Sequence, residues 1–159
     1  MKSKFNFKIF IICLLIVFVL VGGIGSLFTS KNTDSEWYKT VRHEITPPNF
    51  VFPLVWNVLF LLISISLYYS WMNSKTKKQK RKIAFTFGIN FILNILWSVL
   101  FFGLKLPTLA FAEIIILEVS IFSMILVTRK ISQLSAWLLV PYLLWVAFAS
   151  VLTGLAAFG

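Results

Sequence analysis

Cysteine and histidine are nearly missing from this chain: Cys13 and His43 each stand alone. A disulfide framework and a metal centre built from several Cys or His ligands are thereby excluded, so no metal is expected. Acidic residues are scarce too, five against fifteen Lys and Arg, for a net charge of +10. The motifs G-x-x-x-x-G-K-[ST], H-E-x-x-H and G-x-S-x-G are absent, which leaves hydrolytic and nucleotide-driven chemistry without support. No internal repeat stands out.

What the chain does have is apolar surface. It is 59% hydrophobic, 17% aromatic and only 13% charged, with a mean hydropathy of +0.92. A soluble domain of this length cannot hide so much, and a membrane-crossing helix needs about 20 apolar residues. Five runs with few or no charges qualify, giving helices expected at about 9–28, 48–73, 83–104, 106–128 and 131–157. The runs are too long and too continuous for the alternating strands of a barrel. The expected fold is an all-α membrane protein, a five-transmembrane-helix bundle forming one domain over residues 1–159, with a long loop at 29–47.

The positive charge is distributed as in a membrane protein and implies no nucleic-acid partner. Lys75, Lys77, Lys78, Lys80, Arg81 and Lys82 crowd the connection between the second and third runs. Lys2, Lys4 and Lys8 precede the first run, and Arg129 and Lys130 join the fourth to the fifth. Five spans put these 11 residues on one side and only 4 (Lys31, Lys39, Arg42 and Lys105) on the other. The positive-inside rule then predicts a cytoplasmic N-terminus, an outside C-terminus, and a basic segment in contact with anionic lipid. The first run also has the layout of a secretory signal, but its apolar stretch is long enough to span, and it is read as an uncleaved helix. Gly22 and Ser26, four apart, suit close helix contact, as do Ala149, Thr153 and Ala157; either face is a candidate for homodimer formation.

The second run opens with Pro47-Pro48-Asn49-Phe50-Val51-Phe52-Pro53-Leu54-Val55-Trp56. Two prolines suit a helix start, where a missing N–H costs little. Pro53, one turn further in, is expected to bend or loosen it. With Phe52 and Trp56 this makes a proline-shaped, aromatic-lined mouth suited to a flat apolar ligand. In the third run Asn90, Asn94, Trp97 and Phe101 share one helix face, which should point into the bundle. Helix–helix hydrogen bonding and contact with a ligand both fit the two amides. In the fifth run Trp137, Pro141, Trp145 and Phe148 share a face, Pro141 is expected to kink the helix, and Tyr142 lies beside it. Trp137 and Trp71 read as interfacial belt residues, whereas Trp145 lies deeper and needs a partner. Glu113 and Glu118 are costly at membrane depth, so both should face the interior or carry a proton. Five residues apart, they project about 140° from each other and cannot line one pocket together.

Three blocks taken together resemble a known family. They are residues 46–56, the Asn90/Asn94/Trp97 face followed by Phe101-Phe102-Gly103, and Ala136-Trp137 through Pro141-Tyr142 to Trp145 and Ala149. They look like the TspO/MBR group, the tryptophan-rich sensory proteins and translocator proteins related to the peripheral benzodiazepine receptor. Trp37-Tyr38 also fits, so the resemblance covers residues 37–153. It implies a five-helix membrane protein, often a homodimer, whose apolar pocket under the first loop binds porphyrins and benzodiazepine-type ligands. No cofactor is required on this reading; porphyrin, or another flat apolar molecule, is the expected ligand. Carried over by position, the ligand-binding residues are Pro47, Pro48, Phe52, Trp56, Asn94, Trp97, Glu113, Tyr142 and Trp145. Some members promote light-dependent breakdown of protoporphyrin, which makes Trp56 and Trp145 the candidates for such a reaction. The chain departs from the family at Arg42-His43-Glu44-Ile45, where Lys-Pro-Ser-aromatic is usual, and at Leu54, where proline is usual. Its C-terminus lacks the Tyr and the basic residue of the sterol pattern.

Overall fold

The computed structural model describes residues 4–159; Lys2 lies outside the described residues. Five helices long and apolar enough to cross a membrane account for most of the chain: α1 (Phe7–Thr29), α3 (Val51–Asn73), α4 (Lys77–Gly103), α5 (Pro107–Arg129) and α6 (Gln133–Phe158). A short helix, α2 (Glu36–Val41), lies in the first loop. No strand occurs among the described residues. Going round the bundle, α1 packs on α3, α3 on α6, α6 on α5 and α5 on α4, and α4 closes the ring against the second half of α1.

The helix boundaries follow local chemistry that hydropathy alone does not weigh. The basic segment expected as a loop is mostly the first turns of α4. Thr76 Oγ1 accepts from the Gln79 N–H (3.1 Å), and Gln79 Oε1 accepts in return from the Thr76 N–H (3.3 Å) and the Lys75 N–H (2.7 Å). This capping box satisfies donors that would otherwise lack partners, so the helix starts six residues before the apolar run. Lys80 then lies over the Trp71 ring at 5.3 Å, anchoring the basic turn to the end of α3.

The start of α3 differs as well. Pro47 and Pro48 lie before the helix, in a turn closed by the Val51 N–H on the Pro48 carbonyl (3.0 Å). Pro53 falls in the first helical turn, where an N–H has no intrahelical acceptor, and so costs α3 nothing. The helix α6 runs on through Pro141. Both α1 and α4 contain wider, π-helical stretches, Ile16–Gly23 and Val99–Gly103. The second ends with the Leu104 N–H on the Val99 carbonyl, five residues back, at 2.8 Å.

Small residues set how α1 crosses its neighbours. A Cβ on Gly22 would lie 2.9 Å from the Phe60 ring, and one on Gly25 3.5 Å from Ser98 Oγ. The Gly22 face is therefore used inside one chain. Thr153, on the other small-residue face, is likewise buried within the bundle. Changing Gly22 to valine should force the buried Phe60 ring aside and destabilise the bundle by about 1–3 kcal/mol, read as a lower midpoint in detergent unfolding; an unchanged midpoint would contradict this packing.

Candidate functional site

The polar face of α4 meets α5 and α6 at a hydrogen-bonded knot. Asn94 Nδ2 donates to the Tyr142 hydroxyl (2.9 Å), which donates to Asn90 Oδ1 (3.1 Å). Asn90 Nδ2 donates to Ser120 Oγ (2.9 Å), and that hydroxyl donates to the Leu117 carbonyl (2.6 Å). Asn90 and Tyr142 are fully buried. In a membrane interior an unpaired polar group has no water to turn to, so each group here satisfies the next. Asn94 is the last of the chain. Among the described residues no donor reaches its Oδ1, and Asn94 lines the cavity described next.

That cavity, of about 650 Å³, lies between α1, α3, α4 and α6 under the first loop, within the size range of drug-sized ligand sites. Three indoles line it: Trp56 on α3, Trp97 on α4 and Trp145 on α6. Each is held by another ring. Trp97 stacks on Phe101 with centroids 5.2 Å apart and planes 14° from parallel. Trp56 lies 5.3 Å from Phe60 and 6.2 Å from Tyr142. Trp145 meets Phe52 edge-on at 5.9 Å. Ile114 and Leu117 of α5 close the back.

Of the residues expected at the site, the structure brings Phe52, Trp56, Asn94, Trp97 and Trp145 together around the cavity. Tyr142 is one layer behind, orienting Asn94. Glu113 is also outside the lining; it is buried, and neither carboxyl oxygen has a hydrogen-bond partner among the described residues. Counting along the antiparallel pair from the α4–α5 turn puts Glu113 level with Trp97, whose indole N–H is likewise buried without an acceptor. Glu118, on another face, accepts from Ser150 Oγ at 3.3 Å. Pro47 and Pro48 do not touch the cavity; they shape the loop above it.

Arg42 holds that loop. Its guanidinium donates to the carbonyls of Pro47 (2.8 Å) and Thr46 (3.3 Å) and to Asn49 Oδ1 (3.0 Å). Asn49 Nδ2 in turn donates to Asp34 Oδ1 (3.3 Å). Tyr38 of α2 packs against Phe101 and Phe102 below. Burial pushes its phenol above the ordinary value, and the nearby Arg42 charge partly offsets this.

One wall was not anticipated from the sequence. Phe18, Val21, Gly22, Gly25, Ser26 and Thr29 of α1 line the cavity along the helix's second half. The available signal was the small residues Gly22, Gly23, Gly25 and Ser26, which read equally well as a contact for another helix.

A sequence profile of the TspO/MBR family matches residues 13–156. The chain belongs to this family. It is similar to the Tryptophan-rich protein TspO of Archaeoglobus fulgidus, 39% identical over 133 residues, covering 83% of this chain and 84% of the relative. The protein of the same name from Chlorobaculum tepidum is 36% identical over 134 residues, covering 83% and 84%. Similarity extends to the Translocator protein of Sus scrofa, at 25% over 140 residues, covering 85% and 83%. With its five spans, the chain is a multi-pass membrane protein of the TspO/MBR family.

Tyr142→Phe should leave Asn90 Oδ1 without its donor and weaken the α4–α6 contact. We expect a loss of about 1 kcal/mol in detergent or bicelle unfolding, with Asn90→Leu costing at least as much. No change in either variant would show the knot to be energetically idle.

Proposed function

We propose that this protein is a tetrapyrrole-binding sensor or carrier, holding a porphyrin in the cavity between Trp56, Trp97 and Trp145. The observation that carries this reading is the cavity's composition: three ring-braced indoles and a buried amide, Asn94, whose Oδ1 meets no donor among the described residues. A flat aromatic ligand needs stacking walls and few orienting polar contacts, and a pyrrole N–H is a donor of the kind that oxygen lacks. Ionised carboxylates on the ligand would stay at the loop, near water, because burying a free carboxylate is costly. Arg42, with two of its five N–H donors not engaged by the loop, and the exposed His43 are the groups to meet them there. The name of one relative, the Translocator protein of Sus scrofa, accords with a role in carriage.

Protoporphyrin titration of the purified protein tests this. Replacing Trp56 or Trp145 by leucine removes a stacking wall and should weaken binding about 5–30-fold, whereas Trp137→Leu, at a 65% exposed indole, should leave affinity unchanged. Equal affinities for all these proteins would defeat the proposed site. Illuminating the complex while following the Soret band distinguishes the second reading, light-driven porphyrin breakdown using Trp56 and Trp145. Saturable binding without bleaching supports sensor or carrier.

In the cell membrane we propose a cytoplasmic N-terminus, with α2 and its loop outside, from the 11-to-4 distribution of Lys and Arg. In a Cys13→Ser background, Ser35→Cys should react with an impermeant thiol reagent in intact cells and Ser74→Cys should not. The opposite pattern would reverse the orientation. The homodimer expected from the resemblance also stands as a proposal. Gly22 and Thr153 each pack within one chain.

A further inference from the structure

The cavity is not exposed evenly around its rim. Every lining residue contributed by α4, α5 and α6 is buried or half-buried. The exposed lining residues are Gly23 and Ser26 on α1, Ser30 just past its end, Pro53 and Asn57 on α3, and His43 in the loop. Five of these six come from two neighbouring segments, the end of α1 with the residue after it and the first two turns of α3.

The gap between these segments has a structural cause. Up to Gly22, α1 packs on α3: Phe10 meets Tyr68 edge-on at 5.5 Å, Phe18 meets Phe60 at 5.8 Å, and Gly22 lies against the Phe60 ring. Beyond that point α1 leans onto α4 instead. Gly25 approaches Ser98, and Phe28 sits where a Cβ on Gly103 would be, at 2.9 Å. The two helices therefore diverge towards the loop. Gly23 and Asn57 each lie six residues inside their helices, so the gap reaches about 9 Å below the helix ends, past the interface and into the apolar layer. The loop end, by contrast, is crossed by the segment that Arg42 fastens at three points.

Asn57 is the anomaly in this gap. Its amide is exposed on a membrane-spanning helix and has no hydrogen-bond partner among the described residues. Lipid-facing amides are costly, and Ser26 across the gap avoids that cost by donating to the Gly23 carbonyl at 2.8 Å. An unsatisfied amide at the lip of a cavity is suited to meet a polar edge passing through.

We infer that the gap between α1 and α3 is a lateral doorway through which a flat apolar ligand dissolved in the bilayer reaches the cavity, with Asn57 as the polar contact on its lip. The inference rests on the cavity being the ligand site, and it adds the route, the phase from which the ligand arrives and the residue that meets it.

The test is capture of protoporphyrin from preloaded liposomes by protein in acceptor proteoliposomes, followed by stopped-flow fluorescence. Ser26→Trp, which fills the gap, should slow capture and release together, by at least about 10-fold. Asn57→Leu should slow capture about 3–10-fold. Leu144→Trp, a bulky change at an exposed position on another face of the bundle, should leave both rates alone, and thermal unfolding confirms that each variant is folded. Faster capture by Arg42→Ala with no effect of Ser26→Trp would place the route at the loop and overturn the doorway. Should the wild type capture no porphyrin, the ligand reading fails, and the doorway is read separately. A diazirine-bearing apolar probe dissolved in the bilayer should label Ala149 and Leu152 inside the cavity in the wild type but not in Ser26→Trp. Equal labelling in both proteins would refute it.

Discussion

The hydrogen-bonded chain Asn94–Tyr142–Asn90–Ser120 is the constraint on which the rest of the bundle depends. It fixes the rotation of α4 about its own axis, because two amides four residues apart must both reach one phenol on α6. Once that rotation is set, Trp97 and Phe101 follow on the same face, and the cavity acquires its third wall. Apolar packing in a bilayer gives weak rotational preference, since lipid tails solvate Leu and Ile about as well as a neighbouring helix does. A few satisfied polar contacts therefore specify what hydrophobic burial leaves loose.

The loop is organised on the opposite principle. There, a single charged residue does what several neutral ones do in the bundle. Arg42 binds two backbone carbonyls and a side chain in a segment containing Pro47 and Pro48, which supply no N–H of their own for a turn. Two adjacent prolines leave carbonyls without local donors, and a guanidinium is the side chain with enough donors to serve several at once. Arg42, four and five residues before Thr46 and Pro47, stands where it can reach both carbonyls.

How much of this was legible from the sequence depended on whether a residue was out of place in a membrane. The five spans were evident because charge-free runs of that length have no other use. Asn94, Trp97 and Trp145 were evident because amides and indoles at depth need partners. Three things were hidden. The start of α4 was masked by charge, since hydropathy ranks Lys77–Lys82 as loop while the Thr76/Gln79 cap makes it helix. Tyr142 and Glu113 were assigned to the cavity by carrying positions over from the family resemblance, which does not give a helix's rotation against two neighbours; the one stands behind Asn94, and the other faces the interior between helices. The α1 wall was hidden because glycine and serine leave no signature of what they face.

The π-helical stretch in α1 bears on how that helix can line anything at all. Its inward residues, Cys13, Val17, Val21 and Gly25, recur at every fourth position and all are buried, with Thr29 continuing the series at the cavity. In a regular α-helix a step of four overshoots a full turn by about 40°, so such a stripe would wind away from the bundle within two or three turns. Widening the coil between Ile16 and Gly23 unwinds that drift and keeps the stripe in register with its neighbours. The stripe stays straight only as long as the wide coil does: a helix that tightened there would carry Gly25 and Thr29 round the axis as one body, away from Ser98, and change the wall of the cavity.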